Sequence, residues 1–200
     1  MRIIIWGSNG AAPFFVFCPL GRRPNGHFLY ICTIMVRFTK ADRDLIPTIE
    51  NLAQEIFPAT YVTILTSEQI DYMMNWMYSK ESLEKQMAEG HVYHIAHLDN
   101  VPVGYTSVQK QEEGLWHLQK IYLKPGLQGK SVGKQMFLNA IDYIRQNSQL
   151  PCIVELNVNR NNTKAIRFYE HMGMHKASQG DFPIGNGYFM NDFIMAIEVL

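Results

Sequence analysis

Three consecutive runs with β-strand character restrict the fold of this chain more than any other feature. They cover Val92 to His97, Val101 to Gln109 and Leu115 to Leu123. The connections between them are short and contain the turn-forming pairs Asp99-Asn100 and Glu113-Gly114. Strands joined by tight turns lie antiparallel, so the sequence predicts a three-stranded antiparallel meander.

Further helices and strands are predicted on both sides of this meander. A short strand at Val36 to Phe38 precedes a helix from about Asp42 to Phe57, and Pro47 indicates that this helix is kinked or starts later. The other predicted elements are a helix beginning at Thr66, a helix from about Ser131 to Gln146, a strand from Cys152 to Val158, a helix from Thr163 to Met172 and a strand from Tyr188 to Val199.

This order of elements predicts an α+β fold of the three-layer α/β sandwich type. The expected sheet is mixed, mostly antiparallel and twisted, with about six to seven strands and about four flanking helices. Residues 115–172 would form a right-handed crossover unit within it.

The helix beginning at Thr66 carries a stripe of flexible apolar side chains. Ile70, Met73, Met74 and Met77 share one face, and Trp76 lies on another. Such a stripe is typical of core packing, and it also suits the adaptable wall of an acceptor pocket. The sequence leaves both interpretations open.

Composition restricts the class of partner and the compartment. The 200 residues are 47% hydrophobic, which suffices for one well-buried domain. Lys plus Arg equal Asp plus Glu at 18 each, so no net field attracts nucleic acid or an anionic membrane. The three cysteines, Cys18, Cys32 and Cys152, have no metal-ligand spacing and do not suggest a disulfide framework, and we expect a reducing, cytoplasmic location.

The first 34 residues stand apart from the rest of the chain. Glycines at 7–10 and the Pro19 to Gly21 segment interrupt their apolar stretches, so neither stretch matches a signal peptide or spans a bilayer. We interpret residues 1–34 as an extension outside the fold or as the result of a start codon assigned too early. The domain is expected at residues 35–200.

The segment GLQGKSVGK at 126–134 concentrates small residues at the start of the predicted helix from Ser131. The unpaired N–H groups of a first helical turn favour an anion, and small residues let a phosphate approach the backbone. A nucleotide P-loop does not fit, because Lys124 stands where that motif requires glycine five residues before Gly129. An ordinary glycine-rich turn with solvated lysines remains the alternative on the loop alone.

Two segments together resemble one known family. QGKSVGK at 128–134 resembles the Q/R-x-x-G-x-G/A coenzyme loop of the GNAT superfamily of acyl-CoA-dependent N-acetyltransferases, and NNTKAIRFYEHMGM at 161–174 resembles its downstream N-x-x-A-x-x-F-Y segment. The resemblance covers residues 35–200 and implies the acyl-CoA N-acyltransferase fold. One position departs from the pattern: Ser131 replaces the first glycine. We expect this serine to keep negative φ or to displace the phosphate.

The resemblance implies acetyl-CoA as co-substrate and no metal. The implied coenzyme contacts are Gln128, Gly129, Lys130, Ser131, Val132, Gly133, Lys134 and Asn162, with the backbone of Ile121 and Leu123 along the pantetheine arm and the thioester. Asn162 is equally a good helix N-cap. His91, His94 and His97 are not expected to bind a metal, because they would not share one face of a strand.

Two side chains are implied for the chemistry. His117 stands at the spacing of the family's general base, and strand alternation predicts that it shares a face with Gln119, Ile121 and Leu123. Tyr169 matches the tyrosine that approaches the coenzyme sulfur and would protonate the departing thiolate. The alternatives are that His117 lies beside a cleft without a catalytic role and that Tyr169 is a buried aromatic residue whose hydroxyl is hydrogen-bonded.

The acceptor is less restricted by the sequence. The C-terminal residues 180–200 and the Ala59 to Tyr61 segment resemble the subset that contains PaiA-type polyamine N-acetyltransferases, so we expect transfer to a primary amine, such as a polyamine or another small amine. Carboxylates that could meet a cationic acceptor are Glu68, Asp71, Asp181 and Asp192. Acetylation of a protein N-terminus or lysine and a non-catalytic acyl-CoA binder remain alternatives. The fold allows a homodimer.

Overall fold

The computed structural model describes residues 35–200. The prediction for residues 1–34 lies outside the described residues. The described strands are β1 (Arg37–Lys40), β2 (Val92–Leu98), β3 (Val101–Glu112), β4 (Leu115–Leu123), β5 (Cys152–Asn159), β6 (His175–Gly185) and β7 (Tyr188–Val199). The helices are α1 (Ile46–Tyr61), α2 (Ser67–Tyr78), α3 (Lys80–Ala88), α4 (Val132–Asn147) and α5 (Thr163–His171), and a 3₁₀ turn covers Arg43–Leu45.

All seven described strands join one mixed sheet in the order β1-β2-β3-β4-β5-β7-β6. Neighbouring strands are antiparallel except β4 and β5, which run parallel and are connected by α4. This arrangement confirms the predicted α+β class, the antiparallel meander of β2, β3 and β4, and the parallel crossover through α4.

Two elements in the described part of the chain were not predicted. The helix α3 follows α2 after Ser79 alone and buries only Leu83 fully, so its apolar periodicity is weak. The strand β6 is mostly exposed, and Gly180 and Pro183 weaken its strand signal. The strand β6 is held by its hairpin pairing with β7, and α3 is held by its packing against α1 and α2. The helix count is therefore five rather than about four.

The start of α1 resolves the position of Pro47. Asp42 caps the 3₁₀ turn, because its Oδ1 accepts the N–H of Asp44 at 3.1 Å. The α-helix begins only at Ile46, so Pro47 lies in its first turn. Since N–H groups of that turn have no partner within the helix, the missing N–H of proline breaks no helical hydrogen bond. The helix continues beyond the predicted end at Phe57 to Tyr61, which places Tyr61 at the functional site described below.

The sheet separates two groups of buried side chains. Helices α1, α2 and α3 cover one face, where the core includes Ile49, Phe57, Leu83, Tyr93 and Tyr105. Helices α4 and α5 cover the other face, where the core includes Phe137, Ile144, Val154, Leu156 and Tyr169. Each fully buried large apolar side chain contributes about 1.5–3 kcal/mol through the hydrophobic effect. The three-layer prediction is thus confirmed.

A β-bulge in β4 decides which side chains share a face. Ser107 of β3 pairs with Lys120, but the next β3 residue pairs with Leu118, so Gln119 is an extra residue on β4. The prediction that His117 shares a face with Ile121 and Leu123 was therefore wrong, although Gln119 lines the same cavity as His117. Ile121 packs with Leu118 on the α4 and α5 side, whereas His117 faces the opposite side together with Lys120 and Tyr122.

Candidate active site

The centre of the sheet opens where β4 and β5 separate. Within the described residues, β5 pairs with β4 only from Leu115 to His117, although β4 continues to Leu123. The N–H of Lys124 donates to the carbonyl of Val103 on β3 at 2.9 Å. Because backbone groups alternate in direction along an antiparallel ladder, those of Ile121 and Leu123 point to the open edge. This edge can accept an extended ligand arm as an added strand.

The loop between β4 and α4 adopts the left-handed conformation at three positions. Gly126 has a φ of 81°, Gly129 of 77° and Ser131 of 62°. The expectation of negative φ at Ser131, or a displaced phosphate, was wrong in its first part, because the serine adopts the conformation that the family's glycine would supply. Left-handed backbone costs a non-glycine residue about 1–2 kcal/mol.

The first turn of α4 presents unpaired backbone donors. The first helical hydrogen bond joins the N–H of Gln135 to the carbonyl of Ser131 at 3.1 Å, so the N–H groups of Val132, Gly133 and Lys134 precede the ladder, and no side chain caps the helix. Lys130 and Lys134 are exposed beside this turn. Together these groups suit an anion such as a pyrophosphate.

Two loop residues owe their identity to different causes. The Oε1 of Gln128 accepts the N–H of Gly126 at 2.9 Å, and its Nε2 donates to the carbonyl of Leu123 at 3.3 Å, so its side chain braces the loop. A Cβ added to Gly133 would meet only the Phe168 ring, at 3.7 and 3.8 Å, which is ordinary contact. The fold itself therefore tolerates a side chain at Gly133, and close approach of a ligand is a better reason for glycine there.

Helix α5 brings its two predicted residues beside this opening. Asn162 caps the helix, since its Oδ1 accepts the N–H of Ala165 at 3.2 Å. Tyr169 is buried, and burial, followed by the nearby Tyr61, raises the pKa of its hydroxyl well above the usual value. Tyr61 and Tyr122 lie with their hydroxyl oxygens 3.3 Å apart. These tyrosines stay protonated at neutral pH and are available as donors.

A cavity of about 720 Å³ lies on the α1, α2 and α3 side of the sheet. Its apolar wall includes Phe57, Tyr61, Met73, Trp76 and Met77. The methionine stripe of α2 thus serves both interpretations: Met73 is buried in the core and also lines the cavity. The cavity is of the size that commonly encloses a small molecule.

His117 lines this cavity within a chain of hydrogen bonds. The Nδ2 of Asn157 donates to Oδ2 of Asp192 at 3.3 Å, and its Oδ1 lies 3.1 Å from Nε2 of His117. Because a carboxylate only accepts, this order assigns the proton to Nε2 and leaves the lone pair on Nδ1. Nδ1 is buried and has no partner within residues 35–200.

The surroundings of His117 favour the neutral form of its imidazole. Burial lowers the pKa of His117, and the hydrogen bond that its Nε2 donates to Asn157 and the charge of Glu155 only partly oppose this effect. Burial raises the pKa of Asp192, against the effects of Asn157 and Arg160. At neutral pH the imidazole is therefore a base whose free nitrogen is Nδ1.

Only one of the four carboxylates suggested by the sequence lines the cavity. Asp192 does so and is 4% exposed. Asp181 is exposed and pairs with Arg160 and Asn191. Glu68 and Asp71 are exposed on α2. The acidic lining expected for a polycation thus consists of the buried Asp192 and of Glu89, which is exposed at the rim.

Asn157 and Lys120 were missed as site residues. Asn157 stands on β5 between Glu155 and Asn159, and polar residues at alternate positions of a central strand are a signal that the sequence contains. For Lys120 no such signal exists, because the bulge at Gln119 decides its face.

The histidines His91 and His94 have different surroundings in the structure. His91 lines the cavity, whereas His94 packs against the ring of Tyr143 with centroids 5.0 Å apart. No group of three or more His, Cys, Asp or Glu in the part of the chain that the structure describes is placed to hold a metal ion. Of the helices in that same part, none has the length and apolarity needed to cross a bilayer.

Comparison with known proteins agrees with this geometry. The sequence profile of the family described as Acetyltransferase (GNAT) matches residues 47–174. The chain belongs to the GNAT family. The family match covers the meander, the coenzyme-type loop and α5, and it makes this protein an acetyltransferase of the acetyl-CoA-dependent type.

Three proteins are similar to this chain over most of their own length. A spermidine N(1)-acetyltransferase from Thermoplasma acidophilum is 26% identical over 143 residues, which are 69% of this chain and 87% of the relative. The crystal structure of PaiA N-acetyltransferase from the same organism, in complex with coenzyme A, superposes with a TM-score of 0.67 at 22% identity, covering 82% of this chain and 99% of that one. A GCN5-related N-acetyltransferase from Rhodopseudomonas palustris gives a TM-score of 0.70 at 16% identity, covering 85% and 99%. These likenesses confirm the GNAT fold.

Proposed function

We propose that this GNAT protein transfers the acetyl group of acetyl-CoA directly to a primary amine of a small molecule held in the cavity. The observation that carries the proposal is that a cavity of about 720 Å³ meets His117 at the point where β4 and β5 separate. A donor on the open edge of β4 and an acceptor in the cavity would then approach each other beside a neutral base. Similarity to a spermidine acetyltransferase supports an amine acceptor, a polyamine included.

The coenzyme would be held mainly by backbone. The first turn of α4 would bind the pyrophosphate through Val132, Gly133 and Lys134, with the turn at Gln128 to Ser131 shaping the approach and Lys130 adding charge. The open edge at Ile121 and Leu123 would pair with the pantetheine arm, and Asn162 would hold the start of α5 beside it. A backbone N–H on this edge would polarise the thioester carbonyl.

The amine must lose a proton before it attacks. An alkylamine is mostly protonated at neutral pH, since its pKa is about 10.4. His117 would take up that proton, directly or through water, while Asn157 and Asp192 hold the imidazole in one tautomer. The amine nitrogen then forms a bond to the carbonyl carbon, and the carbon–sulfur bond breaks.

The departing thiolate takes a proton. Tyr169 is the donor that we propose, because its hydroxyl is buried near Tyr61 and its raised pKa keeps it protonated until the thiolate forms. The amine nitrogen loses its second proton as the amide forms, and that proton restores the Tyr169 hydroxyl. The proton taken by His117 is released to solvent, so that the products are the acetylated amine and the free thiol of coenzyme A.

Free-thiol release tests this proposal. The purified chain is incubated with acetyl-CoA and a panel of diamines, polyamines, monoamines, amino acids and a peptide with a free N-terminus, and products are identified by mass. Release with small amines supports the proposal, and release with the peptide alone would replace the acceptor class. Binding of acetyl-CoA by calorimetry without release on any amine would indicate a non-catalytic binder.

A further inference from the structure

Lys120 is a cation buried in the wall of the acceptor cavity. Its side chain lies on the cavity side because of the bulge at Gln119, and the residue is 8% exposed. Its Nζ donates to Oε1 of Gln86 at 2.6 Å and lies 5.6 and 5.7 Å from the ring centroids of Tyr78 and Tyr93. The ammonium is therefore fixed in place rather than free to extend into water.

No counter-ion accompanies this cation in the described residues. The ion pairs found within residues 35–200 do not include Lys120. Its acceptor, Oε1 of Gln86, is neutral and also accepts the hydroxyl of Tyr93 at 2.7 Å. Burial lowers the pKa of Lys120 to about 7, so without a counter-ion the side chain is only partly protonated at neutral pH, and a bound anion would favour its charged form. A buried ammonium without an anion is costly, and an anionic ligand group in the cavity would offset that cost.

The same cavity contains a buried group of opposite sign. Asp192 contacts Asn157 next to His117, and it forms no ion pair with Lys120. Lys85 and Glu89 also line the cavity. They form an ion pair at 3.8 Å that is exposed at the rim and screened by water. The buried lining thus offers separate places for a positive and a negative group.

We propose that the acceptor is a primary amine that also carries a carboxylate, bound by Lys120 while the amine reaches His117. This inference rests on the proposed function and names its substrate class. A polycation matches the cavity less well, because its second ammonium would meet the buried cation of Lys120.

Three acceptors of equal chain length test this preference. 6-Aminohexanoate, 1,6-diaminohexane and hexylamine each carry a primary amine on a six-carbon chain and differ in the charge of the other end. Rates for the diamine are counted per amine, because its two ends are equivalent. We expect wild-type kcat/KM to favour 6-aminohexanoate over the diamine by about 10-fold or more, as charge-assisted hydrogen bonds provide. In Lys120→Met the ratio should fall to within about 3-fold, whereas the control Lys110→Met, which changes an exposed lysine outside the cavity lining, keeps the wild-type ratio.

The outcomes separate the two proposals. An equal or reversed preference in the wild type would overturn the inference and leave amine acetylation standing, and an unchanged ratio in Lys120→Met would overturn the role of Lys120. If none of the three amines is acetylated, the proposed function fails for this acceptor type. Calorimetric binding of hexanoate then decides about the site: we expect affinity to fall about 10-fold in Lys120→Met, and equal affinity would overturn the proposal.

Discussion

Replacing Ser131 by glycine tests how the coenzyme loop is built. Ser131 has a φ of 62° and a ψ of 4°, and its side chain forms no cap hydrogen bond with α4. Glycine removes a left-handed strain of about 1–2 kcal/mol, but it costs about 0.5–1 kcal/mol in the entropy of the unfolded chain. We therefore expect Ser131→Gly to raise the free energy of unfolding by about 0.5–1 kcal/mol.

Thermal unfolding and calorimetry measure the two consequences. For a domain of this size, that gain corresponds to a rise in Tm of roughly 1–4 °C. Affinity for coenzyme A should be preserved or tightened, because glycine keeps the loop conformation and the N–H groups of the first turn.

Two control variants separate the effect of the backbone conformation from the effect of the Ser131 hydroxyl. Ser148, at the other end of α4, has an extended backbone with a φ of −123°, so Ser148→Gly should lower Tm. Ser131→Ala keeps the left-handed strain and removes only the hydroxyl. A lower Tm for Ser131→Gly would refute the strain argument. Marked loss of coenzyme affinity in both Ser131 variants would mean that the hydroxyl itself binds phosphate.

Four further variants test the remaining roles. His117→Ala should lower the acyl-transfer rate by roughly 10² to 10⁴ at neutral pH, and a change smaller than about threefold would discard His117 as the base. In the wild type, kcat/KM should rise with pH and level off above an apparent pKa that lies below 6.5, since burial lowers the pKa of His117. Asn157→Asp should move this rise to higher pH. An unchanged pH profile would contradict a role for the hydrogen-bonded chain from Asp192 through Asn157 to His117. Tyr169→Phe should reduce the rate while Tm stays close to wild type, whereas an equal rate would leave Tyr169 as a packing residue. Gly133→Ala should raise KM for acetyl-CoA by about 10-fold without lowering Tm, because alanine favours a helix; an unchanged KM would place the pyrophosphate elsewhere.

Much of the fold could be predicted because its signals are local. Alternation and turn pairs define β2, β3 and β4, and helical periodicity with small residues before it defines α4. The elements α3 and β6 were missed since neither carries a strong apolar pattern, and each depends on neighbours for its stability. The left-handed backbone of Ser131 was also missed, because a serine does not by itself indicate a positive φ.

By itself, the sequence determined the family, the order of most elements and the position of the glycine-rich loop before α4, since each follows from residues close together in the chain. The acceptor side was decided only by the tertiary structure. One extra residue, Gln119, turns His117 and Lys120 towards the same cavity, and strand pairing brings Asn157 to His117 across 40 positions of sequence. Side-chain direction beyond a bulge depends on register, and register is fixed by packing between strands rather than by the local pattern.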